Sequence, residues 1–135
     1  MANSLLKQIQ YENETWKKVI YTMMDENVHF KLRLTEVLKP EHEKNFLEKA
    51  ENFQTCFLEL DEKILILRDH LTRLNKLIME KNETDQQMVI IKNSRNDFRT
   101  NMNLLENHFN KLREDFNQYL FKNYDNGEPI KSKAI

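Results

Sequence analysis

The chain has 135 residues, 39% hydrophobic and 32% charged, with one Gly, two Pro and one Cys. That length buries one core. So few breakers exclude a hairpin-rich fold, and the apolar share excludes a disordered one. A formal net charge of -1, from 21 basic and 22 acidic side chains, argues against a nucleic-acid partner held by phosphate neutralisation.

The first predicted element is a helix near residues 3–38. Leu6, Ile9, Asn13, Trp16, Ile20, Met23, Asn27, Phe30, Leu34 and Val37 follow an alternating three–four spacing. Within it, Glu26 and His29 have the Glu-x-x-His spacing that supplies half of a carboxylate-bridged di-iron site. At roughly 100° per residue, His29 falls about 130° from the seam centre, on the solvent face. No second such motif exists and no Asp or Glu holds a seam position, so no metal is expected.

"LKPEHE" places Pro40 where it ends the first helix and starts the next. The second helix is expected near 41–81, with Phe46, Ala50, Phe53, Phe57, Leu60, Ile64, Leu67, Leu71, Leu74 and Ile78 on its seam. Asn82 helps to end it. Thr84 then offers an N-cap, with Gln87 three residues on, for a third helix near 84–122. Its seam is Met88, Ile91, Arg95, Phe98, Met102, Leu105, Phe109, Leu112, Phe116 and Tyr119. Residues 123–135 lose the period, contain the only Gly and are expected to form a flexible tail.

A 3.5-residue period over thirty positions is the pattern of helices packed side by side. The expected fold is all-α: an elongated antiparallel three-helix bundle, up-down-up, with heptad-type packing, which dimerisation would complete. Residues 1–122 make its single domain, and helices of that length run roughly 50–60 Å. Trp16 on the first helix of such a rod is similar to what spectrin-type repeats show, a likeness of fold that carries no function. No repeat of 20–50 residues stands out beyond the heptad. Asn96, Asn103, Asn110 and Asn117 recur every seven residues outside the third seam, and compositional bias on a solvent face is the favoured reading.

Chemistry has little to rest on. His42 sits in a first turn, and His70 and His108 each precede a seam residue, the ordinary place for a solvated or structural imidazole. "HLTR" at 70–73 and "HFNK" at 108–111 loosely resemble the His-x-x-basic pattern of helical phosphotransfer domains. Leu74 and Leu112 stand where that family has a small Gly. Cys56 flanks the seam as a small apolar residue and has no disulfide partner, which suits a cytoplasmic location. There is no Gly-rich phosphate loop, no GxSxG elbow and no Cys cluster. No catalytic residue, no cofactor and no enzyme activity are therefore expected. The start "MANSLLKQIQ" has no signal-peptide pattern, and the longest apolar run, "ILIL", is too short for membrane insertion.

Two features bear on function. Asn13, Asn27 and Arg95 are the only polar seam residues; buried polar groups of this kind fix register at some cost in stability. Lining of a ligand cavity is the less favoured reading, and a small-molecule partner with it. Leu58, Leu65, Ile66 and Met79 give the second helix more apolar surface than one seam consumes, a candidate partner interface. The expected function is a non-enzymatic interaction or adaptor protein binding a protein partner or a second copy. The alternative is a signalling bundle with an accessible His, or a small-ligand-binding bundle.

Overall fold

The computed structural model describes residues 2–37, 44–80 and 84–123. The chain is all-α, with no strand among the described residues: α1 (Ala2–Val37), α2 (Lys44–Met79) and α3 (Asp85–Asn123). Pro40, His42, Asn82 and the stretch after Asn123 lie outside the described residues. Among the described residues, no helix is long and apolar enough to cross a membrane.

The start of α3 has a local cause. Thr84 Oγ1 accepts the backbone N–H of Gln87 at 3.1 Å, and its carbonyl accepts that of Met88 at 3.0 Å. The side-chain bond satisfies a donor that the helix itself leaves unmade. Asp85 in the first turn and Lys122 in the last complement the helix dipole.

Burial follows the three–four spacing. All thirty seam positions are buried or half-buried; Leu6, Trp16, Phe30, Phe53 and Met88 are the half-buried ones, and each packs against the core. Among the described residues, Leu120 alone is buried off the seam. Its flank of α3 faces α1, because Arg113, seven residues earlier, reaches Glu26.

Cross-helix pairs show how the elements run. Numbers rise on α1 as they fall on α2, since Asn13 meets Asn75 and Asn27 meets Asp61. They likewise oppose between α2 and α3, where Phe46 stacks on Tyr119 at 5.0 Å and Lys63 reaches His108. Along α1 and α3 they rise together: Trp16 packs on Phe98 at 4.7 Å and Phe30 on Phe116 at 5.7 Å. The α2 backbone comes close to both other helices, whereas α1 and α3 meet mainly through long side chains.

The two ends of the core differ in chemistry. Phe30, Phe53, Phe57, Phe116 and Tyr119 cluster at one end, with Phe57 edge-on to Phe116 at 4.9 Å. The Tyr119 hydroxyl donates to the Phe46 carbonyl at 2.7 Å, and burial pushes its phenol up to about 12. A polar layer crosses the core toward the other end.

Candidate functional site

Each of the three polar seam residues has an interior partner. Asn13 is buried, donates to Asn75 Oδ1 at 2.7 Å and accepts from Arg95 Nη1 at 2.7 Å. Arg95 Nη2 reaches Glu12 Oε1 at 2.7 Å, and its guanidinium lies 4.9 Å from the centre of the Trp16 ring. Burial lowers the pKa of Arg95, Glu12 works against that, and Arg99 adds to it. One residue from each helix thus closes a single layer. Asn27 belongs to a different layer: its Nδ2 donates to the Phe57 carbonyl at 3.0 Å and to Asp61 Oδ1 at 2.6 Å, and Lys31 pairs with the other oxygen of Asp61. Asn75 and Asp61 went unnoticed in the sequence because both follow a seam residue (Leu74 and Leu60), where a polar side chain reads as solvated.

Half of the Asn row has a structural task. Asn96 Oδ1 accepts from Arg99 and Asn110 Oδ1 from Arg113, each at 3.1 Å. Arg99 in turn lies over Trp16 and Arg113 reaches Glu26, so these amides hold the side chains that bridge α3 to α1. All four amides of the row are exposed, on the solvent face where the spacing puts them.

The Glu26 and His29 pair does not converge on one point. Glu26 is taken up by Arg113 at 2.8 Å, while His29 is exposed. Cys56 is half-buried against the core. Leu74 and Leu112, next to the two His-x-x-basic stretches, are both buried.

The four apolar residues on the outside of α2 are exposed, but they do not share one face. Leu58 and Leu65 lie on the flank toward α1. The register set by Asn13–Asn75 and Asn27–Asp61 puts them level with exposed Tyr21 and Val28, with half-buried Met24 and the Lys31–Asp61 ion pair between. Met79 continues that flank two heptads on, roughly 20 Å away. Ile66, 67% exposed, faces the α3 side instead.

There Ile66 lines a half-open cleft of about 420 Å³ between α2 and α3. Lys63, Ile66, Leu67 and His70 form one wall, and Asn101, Leu104, Leu105 and His108 the other. The walls share one spacing, polar-x-x-apolar-Leu-x-x-His, displaced by 38 residues. On helices that run oppositely, this repeat produces a local pseudo-two-fold axis. Lys63 Nζ lies 3.5 Å from His108 Nδ1, and His70 Nε2 lies 3.3 Å from Ser94 Oγ with the His70 ring edge-on to Phe98 at 5.4 Å. Desolvation lowers the His70 pKa; Arg73 lowers it further and Asp97 opposes.

No protein family, curated protein or solved structure matches the chain. Function must therefore be argued from these surfaces alone. Sequence reasoning found the residues of the polar layer on α1 and α3. It missed the cleft, although the shared spacing is visible once Lys63–His70 is set against Asn101–His108.

Proposed function

We propose that this chain is a non-enzymatic, all-helical interaction or adaptor protein, acting through helix–helix contacts with a protein partner. Its architecture in this reading is an elongated antiparallel up-down-up bundle with heptad-type packing. The burial of thirty alternating positions and the opposed running of the cross-helix pairs support that description. Asn13, Asn27 and Arg95 set the register. A cytoplasmic setting suits a chain with one Cys.

The observation that carries the proposal is the set of large apolar side chains exposed on the α1/α2 flank, Leu58 and Leu65 of α2 level with Tyr21 and Val28 of α1 on either side of the Lys31–Asp61 ion pair. Four large side chains exposed together on a chain of 32% charged residues form a surface that association would cover. A second copy is the partner to test first. A net charge of -1 sets up little repulsion between copies, and a two-fold axis brings the face onto itself. Light scattering on the intact protein across a concentration series gives the test. The expected mass rises toward two chains and returns to one for Leu65→Glu, an exposed site that the fold tolerates. A mass of one chain at the highest attainable concentration, with no amide protection at Leu58 or Val28, would count against the reading.

A further inference from the structure

The α2/α3 cleft differs from the Leu58–Leu65 face in shape, charge and extent. Its floor is apolar, from Ile66, Leu67, Leu104 and Leu105, and none of its lining side chains is a carboxylate. Among the described residues, no carboxylate oxygen lies within ion-pair distance of Lys63 Nζ. Its nearest polar partner is the His108 ring. An ammonium only donates, so this contact needs the tautomer in which His108 Nδ1 accepts, and in that tautomer Nε2 offers a second donor at that end.

The pseudo-two-fold symmetry holds in the backbone spacing and fails in charge. At the His70 end the imidazole is bonded to Ser94 and packed on Phe98, and its surroundings favour the neutral ring. At the His108 end stands the cation. An occupant therefore meets a cationic donor pair at one end and a neutral amide and imidazole at the other.

The cleft is also short. Seven residues to either side of Ile66 stand Glu59 and Arg73, and seven to either side of Leu104 stand Asp97 and Lys111. The exposed positions Ile66 and Leu104 thus do not recur along either helix, and the cleft runs only from Lys63 to His70 and from Asn101 to His108, seven residues or roughly 10 Å at 1.5 Å per residue. A helix docking along the groove needs apolar positions that continue over several turns. This floor does not continue, and its 420 Å³ lies in the range of small-molecule sites.

We propose that the α2/α3 cleft binds a small amphipathic carboxylate, its head held by Lys63 Nζ and the His108 ring and its apolar body laid on Ile66, Leu67, Leu104 and Leu105. The inference is independent of the Leu58–Leu65 face. Sodium decanoate, below its micelle-forming concentration, is the probe, titrated into the full chain and followed by amide NMR shifts. Saturable shifts are expected at Lys63, Ile66, Leu104 and His108. Lys63→Gln weakens binding roughly tenfold, as expected for loss of one charged hydrogen bond. Ile66→Asp abolishes binding. Both sites are exposed, and unchanged circular dichroism melts confirm that each variant folds. Decylammonium, with the same body and the opposite charge, binds more weakly. Equal affinity for the two surfactant ions, unchanged affinity in Lys63→Gln, or shifts centred on Leu58 and Leu65 would overturn the assignment.

Discussion

Replacing Asn13 by Leu tests whether the three-helix polar layer behaves as one unit. The substitution removes the acceptor of Arg95 Nη1 and the donor to Asn75 Oδ1, both at 2.7 Å. The Arg95 side chain is 7% exposed and is left with Glu12, itself 38% exposed, as its carboxylate partner among the described residues. An orphaned donor on a buried charged group costs roughly 2–3 kcal/mol, whereas half-buried Asn75 re-solvates at below about 1 kcal/mol. The added apolar burial returns about 1 kcal/mol, so Asn13→Leu is expected to destabilise by about 2 kcal/mol. Changing the whole layer, Asn13→Leu with Asn75→Leu and Arg95→Met, removes every stranded group at once. Replacing a buried charged network by apolar residues of similar volume is often neutral or stabilising. The triple variant is therefore expected to recover the stability of the parent. Urea unfolding followed by circular dichroism measures both changes, and the cycle yields the coupling. Additive losses, or a triple variant less stable than Asn13→Leu alone, refute the treatment of the layer as one network. The same samples test register. Doubled or broadened amide resonances in the triple variant alone are expected, and a single sharp set would remove the register-setting role from Asn13 and Arg95 and leave it to the intact Asn27–Asp61 layer.

Two further outcomes follow from burial and charge. Phe57 is 0% exposed and packs against Phe30, Phe53 and Phe116, so Phe57→Ala is expected to lose about 3–5 kcal/mol in chemical unfolding, and a loss under about 1 kcal/mol would contradict that packing. His70 has a folded-state pKa below its ordinary 6.5, chiefly through desolvation, so below that pH the unfolded chain binds more protons. Its contribution is present above about 6.5 and is lost as pH falls toward the folded value. His70→Gln is expected to flatten the decline of stability between about pH 7.5 and 5.5, where carboxylates stay ionised; parallel slopes for parent and variant would refute this.

How much of the structure the sequence disclosed depends on what periodicity encodes. A three–four spacing states which side chains point inward, and the buried residues repeat it from Ile9 to Tyr119, with Leu120 the single addition. It is silent on how far apart two helices stand. The α1–α3 junction is bridged by Trp16, Phe30, Arg95, Arg99 and Arg113, and the flanking residues that hold two of those arginines, Asn96 (to Arg99) and Asn110 (to Arg113), look like surplus amides until the gap is known. Leu120 was invisible for the same reason, since it lies on the flank that this junction encloses. Asn75 and Asp61 are legible only in pairs. Each needs the level of its partner on α1, which the register supplies and the local pattern does not.

Leu65 and Ile66 show why an apolar run does not define a surface. They are adjacent in "ILIL", yet a helix turns roughly 100° between them. One therefore joins the α1 flank beside Tyr21 and Val28, and the other enters the cleft opposite Leu104. The short arc between them is the solvent side of α2, which carries exposed Glu62 and Asp69, while buried Ile64 and Leu67 fill the core side opposite. The two surfaces therefore lie on opposite flanks of that solvent side, and an occupant confined to the cleft leaves Leu65 uncovered. A charge placed at Leu65 accordingly reads association and leaves decanoate binding intact, while one placed at Ile66 does the reverse. If either substitution abolished both, the two surfaces would be one site wrapped around α2, and the separation argued from helix geometry would fail.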